Sequence, residues 1–545
     1  MTSNALPTTI DSDKPSEPKA VDDPTLYPSG LKLVTILACV YATVFLVALD
    51  RMIIATAVPK ITDQFHSIDD IGWYASAFLL PACAFMLVYG KLYQLYSVKA
   101  VYLSCIVLFE IGSAVCGAAP NSNALIVGRA IAGLGSAGLF SGTVVIIVHT
   151  IPLAKRPMFQ GLFGAIFGIS SVIGPLLGGA FTDKVSWRWC FYINLPIGAV
   201  VLLGLFLYLD IHSTNLAKTL TLREQISQLD PIGTLFFLPG IICLLLALQW
   251  GGVEYPWSSP RVLVCLILGL ILLLAFVGVQ IWKGEKATIP PRVITQRSVF
   301  AAVWYSFFAG SSMLVVVYYV PIWFQAILGV SAVGSGIRTL ALVFPLVIGS
   351  VLGGAITFRT GYYTPPMIVG CIILSVGAGL LTTWTVNTQR AKWIGYQVLF
   401  GFGLGLGMQQ SNMAIQTVLP RKDVSTGVAL VFFGQSLGGT VFISVAQNIF
   451  ASKLADYLAG IEGIDVHAIV NAGATGLRHF VQPELLPKVL EAFSNALVKA
   501  LYVALAASCV GFLGSLGMEW RSIKNGEGQS AKTVAKESEL EAERV

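Results

Sequence analysis

The chain has 545 residues, 55% of them hydrophobic and 11% charged, with a net charge of +6. A soluble protein carries roughly 25% charged residues, and here apolar runs of about 20 residues, the length that crosses ~30 Å of hydrocarbon, recur along the whole chain. This excludes a soluble globular protein. Runs that are apolar at every position also exclude a β-barrel, and charge scattered without aromatic interleaving excludes nucleic acid as a partner.

Residues 1–30 are polar, hold Pro7, Pro15, Pro18, Pro24 and Pro28, and read as a disordered cytosolic N-terminus. The run from Leu31 then acts as an uncleaved signal anchor. Runs near 33–57, 72–93, 100–119, 123–147, 158–181 and 189–209 predict a first six-helix bundle over 31–209. Two runs near 232–250 and 261–282 predict a linker with two extra transmembrane helices over 210–297. Runs near 299–321, 335–357, 365–385, 391–414, 427–450 and 497–517 predict a second bundle over 298–517, with a long outer loop at 451–496 and a cytosolic tail at 518–545. The expected fold is all-α and polytopic, with about fourteen spans in two parallel six-helix halves plus the linker pair. Inside the long loop, Leu485, Leu486, Val489, Leu490, Phe493 and Leu497 form a helical stripe, read as a helix on the outer surface, with a gate as the alternative.

Lysine and arginine are about twice as frequent in the loops on the side of both termini, which puts that side in the cytosol. The nine cysteines lie in apolar runs without a CxxC pair and read as small buried hydrophobes. With five scattered histidines and no HExxH, neither a metal site nor a catalytic cluster is expected.

The stretch GISSVIGPLLGGAF, from Gly168 to Phe181, is unusual for an apolar helix. In a soluble helix each glycine costs up to ~1 kcal/mol and a proline roughly 3 kcal/mol. Gly174 and Gly178 are four apart and share a face, and Pro175 and Gly179 form a neighbouring stripe. Small residues let backbones approach closely in lipid, and Pro175 removes a backbone hydrogen bond and bends the helix. Ordinary tight packing and a sliding surface between the two halves are both open.

Five stretches in order along 31–517 carry a resemblance. LDRMIIATAVPKITDQF holds Asp50. GKLYQLYSVKAVYL holds Gly90 and Lys99, with Gln94 where an acidic residue is usual. LIVGRAIAGLGSAG holds Arg129. GLFGAIFGISSVIGPLLGG holds Gly161, Gly174, Pro175, Gly178 and Gly179. WRWCFYINLPIG is the fifth. Together they resemble the major facilitator superfamily, in its fourteen-span drug:proton antiporter branch, and are most similar to fungal toxin and multidrug efflux pumps. The resemblance implies that Gly90 and Lys99 belong to the superfamily's loop motif and the Gly161–Gly179 set to its antiporter motif.

Charges inside the bilayer need a reason. Asp50 and Arg129 lie at matched depth, roughly 25 Å from the inner face at 1.5 Å per residue, and can pair. Arg51 competes for Asp50. Glu110, mid-span and without an evident partner, is a candidate proton carrier. Asp50, Glu110 and Arg129 are therefore the proton-coupling candidates, with a fixed structural pair as the other reading. Arg338 either binds an anionic group or lines the outer mouth. Trp304, Tyr305, Phe308, Gln409, Gln410, Asn412 and Gln435 offer aromatics with a few uncharged amides, a lining suited to a mostly apolar ligand.

The expectation is a monomeric plasma-membrane transporter, not an enzyme, that uses the proton gradient and no cofactor to export small amphipathic organic molecules. No nucleotide motif GxxxxGK[ST] is present. Uptake of a siderophore, vacuolar transport of a basic amino acid and a non-transporting membrane sensor are the alternatives.

Overall fold

The computed structural model describes residues 27–67, 70–211, 220–252, 255–461 and 481–524. An unpaired backbone N–H or C=O in hydrocarbon costs several kcal/mol, so each apolar run pairs its own backbone as a helix. The first bundle contains α1 (Gly30–Phe65), α2 (Ile71–Ala84), α3 (Met86–Leu95), α4 (Val98–Ala118), α5 (Ser122–Thr150), α6 (Arg156–Lys184), α7 (Trp189–Tyr192) and α8 (Asn194–Tyr208). The linker contributes α9 (Leu222–Gln228), α10 (Pro231–Trp250), α11 (Pro260–Lys283) and α12 (Pro291–Ile294). The second bundle contains α13 (Arg297–Leu328), α14 (Ala332–Thr360), α15 (Thr364–Leu381), α16 (Arg390–Met408), α17 (Gln410–Val418), α18 (Val424–Ala459) and α19 (Leu486–Gly517).

Among the described residues twelve helices are long and apolar enough to cross a membrane, or thirteen when α2 and α3, bent by 42°, count as one span. The expected fourteenth, near 391–414, is helical but breaks at Gln409 into α16 and α17. Its second part carries Gln410, Ser411, Asn412 and Gln416, which lower its apolar character.

The amphipathic stripe expected on the outer surface is instead the beginning of the last span. α19 starts at Leu486, eleven residues before the expected 497, and buries Val489, Phe493 and Leu497. The Phe493 ring lies 5.3 Å from that of Phe450, and Trp323 donates to Ser494 at 3.2 Å. The stripe thus packs into the second bundle. Residues 462–480, the middle of the long loop, lie outside the described residues, as do 1–26 and 525–545 of the two expected tails. The cysteines are free, but they are not uniformly buried: Cys509 is exposed, and Cys39, Cys243 and Cys265 are half-buried.

In the first half α1 packs on α6 and α8, α2 on α5, and α4 on α5 and α8. In the second, α14 packs on α16, α13 on α18 and α19, and α15 on α16 and α19. The halves meet along two seams, α6 with α14 and α3 with α18. The α10–α11 pair leans on α2 and α18, beside the second seam.

One acid staples the linker. Asp230 caps α10 from the left-handed region (φ 52°), with Pro231 in the first turn. It is fully buried, and it accepts from the Gly233 amide at 2.9 Å, Gln280 at 2.8 Å, and the Thr288 amide and hydroxyl at 3.0 and 2.9 Å. Lys283 pairs with it at 2.9 Å. Burial pushes the carboxyl up, but the bonds from Lys283, Gln280, Gly233 and Thr288 outweigh this and hold it at about 2, against the ordinary 3.8.

Asp230→Ala should cost about 2–3 kcal/mol, because buried donors lose a charged acceptor. The check is the thermal midpoint of the detergent-solubilised protein. Since the folded carboxyl titrates below its unfolded value, the stabilisation is fully present above 3.8 and is lost as pH falls toward about 2. The gap between wild type and variant should close across that window.

Candidate functional site

The centre of the first bundle is built on a charge pair. Asp50, near the middle of α1, and Arg129, on α5, are both 1% exposed, and Arg129 Nη1 donates to Asp50 Oδ2. Arg129 Nε also donates to the Tyr74 carbonyl of α2 at 3.0 Å, and its guanidinium lies 4.5 Å from the Phe78 ring centre. Asn194, at the start of α8, donates to Asp50 Oδ1 at 3.5 Å and to Ser113 Oγ of α4 at 3.1 Å. The pair therefore ties together α1, α2, α4, α5 and α8. Glu110 lies one turn before Ser113, on the α4–α8 side. Its carboxyl rests against Gly198, where a Cβ would collide with it, and both oxygens are buried without a hydrogen-bond partner among the described residues.

Arg51 does not take Asp50. Its guanidinium lies 4.7 Å from the Phe140 ring centre and 5.4 Å from that of Phe78. Phe140 of α5, Phe163 of α6 and Phe432 of α18 form a trio with centroids 6.0–6.1 Å apart, which joins the two halves.

Beside that trio, and on toward the end bearing the basic loops, the halves are closed. A Cβ on Gly161 would stand 2.7 Å from the Ser350 carbonyl, and one on Gly90 would stand 2.8 Å from Ala429 Cβ. Gly164 and Gly168 abut Ser350 and Val347, and Gly354 abuts the Pro157 carbonyl. Ser350 Oγ donates to the Gly161 carbonyl at 3.0 Å. Every residue from Gly135 to Val148 on α5 and from Val424 to Phe432 on α18 is buried.

The antiporter-motif glycines thus divide. Gly161 lies between the halves. Gly174 and Gly178, expected at a surface between the halves, instead face Met52, Ile53 and Thr56 of α1 within the same bundle. Pro175 lies inside α6 between them. Gly179 meets nothing within 4 Å. The close contact between the halves lies in the first half of α6, where Gly161, Gly164 and Gly168 follow the i, i+3, i+7 spacing of one helix face.

The loop motif also divides. Gly90 packs on α18, whereas Lys99 donates to the Phe206 carbonyl at 2.6 Å and caps the end of α8. Gln94, in place of the usual acid, donates to Asp423 Oδ1 at 3.4 Å. Asp423, fully buried before α18, is gripped by Arg292 of the linker at 2.6 and 3.0 Å. The acid missing from one half is supplied by the other, and the linker holds it.

The expected lining residues scatter. Trp304 donates to the Val510 carbonyl at 3.0 Å, and Phe308 packs on Trp304 and Phe442, so both fill slots opened by Gly511 and Gly514 inside the second bundle. Tyr305 is 1% exposed, and its hydroxyl lies against Gly407 without a partner. Gln410 accepts from Thr357 at 2.9 Å. Gln435 stacks its backbone and Cγ on Gly310. Gln409 accepts from Asn412 at 3.4 Å and reaches toward Gly164, so this amide pair alone borders the seam with α6. Arg338 donates to the Gly334 carbonyl of its own helix at 2.9 Å.

Asn194, Ser113, Asp423, Arg292 and Ser350 carry weight that the sequence reading did not assign them. Two had a signal: Asn194 sits in the fifth motif, and Asp423 is an acid immediately before a helix.

Residues 40–443 match the family model of the Major Facilitator Superfamily. The chain belongs to that superfamily. Its sequence is 52% identical over 498 residues to the efflux pump aflT of Aspergillus parasiticus, covering 91% of this chain and 97% of that one. It is 50% identical over 497 residues to the MFS-type efflux pump MFS1 of Trichophyton rubrum, covering 91% and 93%. The fold is similar to that of the proton:xylose symporter XylE, with a TM-score of 0.55 at 15% identity, covering 90% of this chain and 98% of that one. The protein is a multi-pass membrane transporter.

Overpacking a close helix contact costs ~1–3 kcal/mol. Gly161→Leu and Gly164→Leu should therefore cut transport roughly tenfold or more at retained surface expression. Gly179→Leu, at an open face, should transport as wild type. Substrate accumulation in vesicles, normalised to protein, checks both.

Proposed function

We propose that this transporter exports small amphipathic organic molecules across the plasma membrane in exchange for protons, as a monomer, with no cofactor and no catalytic chemistry. The direction rests on the similarity to chains named as efflux pumps over more than nine-tenths of the sequence. Proton coupling rests on the fully buried Asp50–Arg129 pair. A carboxylate in hydrocarbon is tolerable while it has its cation, and protonation releases that hold. Arginine keeps its charge throughout, so the carboxylate is the group that gains and loses the proton. Glu110, with two unpartnered oxygens, is the second proton site.

Both termini are cytosolic in this reading, so the closed end is the cytosolic end and the protein stands in an outward-facing state. A proton arriving from outside neutralises Asp50 and loosens its tie to Arg129. The five helices tied there then shift, and the glycine seam opens toward the cytosol. Substrate enters, the proton leaves inward, and the pair re-forms.

Efflux from cells should collapse when a protonophore dissipates the gradient at constant ATP. Efflux that persists, and stops only when ATP is depleted, would sink the proposal. Asp50→Asn and Glu110→Gln should lose concentrative uptake into inside-out vesicles while keeping substrate binding and downhill exchange. Arg129→Ala should instead move the pH optimum of transport upward. Neutral variants that pump uphill with the wild-type pH profile would make these acids structural.

A further inference from the structure

The central region holds two acids and two arginines, and one of the arginines has no ion pair among the described residues. Between the ends of its spans the first bundle carries Asp50, Arg51, Glu110 and Arg129, and the second bundle carries no Asp or Glu in any of its expected spans. Asp50 is engaged by Arg129 and Asn194. Glu110 lies on the far side of α4, against Gly198. Arg51 forms no ion pair, and its Nε is buried without a hydrogen-bond partner among the described residues. It is nonetheless half-buried, whereas Asp50 and Ile53 beside it are sealed. Adjacent residues on a helix point in different directions, so Arg51 faces away from the pair that Asp50 makes.

A guanidinium in a low-dielectric interior needs an acceptor. Two aromatic faces, Phe78 and Phe140, offset part of that need. They leave the buried Nε–H without an acceptor, and a guanidinium's planar fork fits a carboxylate bidentately. The charged and titratable groups around it are the Arg129 cation of α5, the Asp50 carboxylate, already engaged by Arg129 and Asn194, and the Cys83 thiol of α2. The aromatic trio below it, reaching from α5 and α6 to α18, supplies an apolar floor.

We propose that Arg51 docks an acidic group of the transported molecule, so that the cargo is an amphipathic organic anion, a carboxylate or ionised phenol on an apolar body resting on Phe140, Phe163 and Phe432. This deepens the exporter reading and takes the transport role from it. The anion supplies the partner that Arg51 lacks.

The test is equilibrium binding to the full-length protein in lipid nanodiscs, with 1-pyrenebutyrate and its methyl ester as probes of equal body and different charge. The acid should bind wild type more tightly. Arg51→Gln should weaken acid binding roughly 10- to 100-fold, the worth of a charged hydrogen-bond partner, and leave the ester unchanged. Arg51→Lys should keep part of the preference. Wild type that binds the ester as well as the acid, or neither probe, overturns the proposal, as does an Arg51→Gln variant with the wild-type acid-to-ester ratio. Should Arg51→Gln fail to fold, the wild-type ratio and Arg51→Lys decide. Binding needs no gradient and has no direction, so its failure leaves the efflux result standing, and failed efflux leaves the binding result standing.

Discussion

Hydrocarbon solvates neither charge nor backbone, and the buried Asp50–Arg129 pair is where that constraint is most severe. Each group alone would cost several kcal/mol. Together they are tolerable because the remaining donors and acceptors are also engaged: Arg129 reaches the Tyr74 carbonyl and Asn194 reaches the second Asp50 oxygen. The pair therefore fixes five helices of the first bundle around one point. It is also a poor place for a static bridge, since a buried ion pair adds little net stability over an apolar replacement.

Packing between helices obeys a different rule. Lipid provides no hydrophobic drive to bring helices together, so contact depends on how closely backbones approach. α6 uses this twice. Its first half lays Gly161, Gly164 and Gly168 against α14 in the opposite bundle, and its second half lays Gly174 and Gly178 against α1 in its own. One helix thereby packs on the opposite bundle with one end and on its own bundle with the other, with Pro175 in the latter part. Glycine costs little helix stability here, because the unpaired alternative is unavailable in lipid.

The linker pair is more than a connection between halves. Asp230 locks α10 to α11 and to the connector after it, and Arg292 on that connector grips Asp423 at the entrance of α18. Gln94 from the loop motif joins the same carboxylate. The connector thus touches the closed seam from the second-bundle side, and Gly90 touches it from the first. Charges at the membrane edge hold together an interface whose interior is held by small residues.

Composition and run length alone determined the solvent and the all-helical class, because the absence of water in a bilayer leaves the backbone one solution per run. Depth along a helix was also legible, since rise per residue is fixed, and this matched Asp50 to Arg129. Which face each residue turns to which neighbour was not legible. Trp304 and Phe308 resemble a ligand lining in sequence, yet small residues on α19 draw them into the bundle. Gly174 and Gly178 resemble a sliding surface, yet α1 lies over them. The stripe at 485–497 resembles a surface helix, yet Phe450 and Trp323 bury it. Rotation about the helix axis and the identity of the partner are set by packing between segments far apart in the chain. Only the tertiary structure therefore decided that Arg51 is left without an acid, that Asn194 bridges Asp50 to α4, and that Asp423 replaces a missing motif acid.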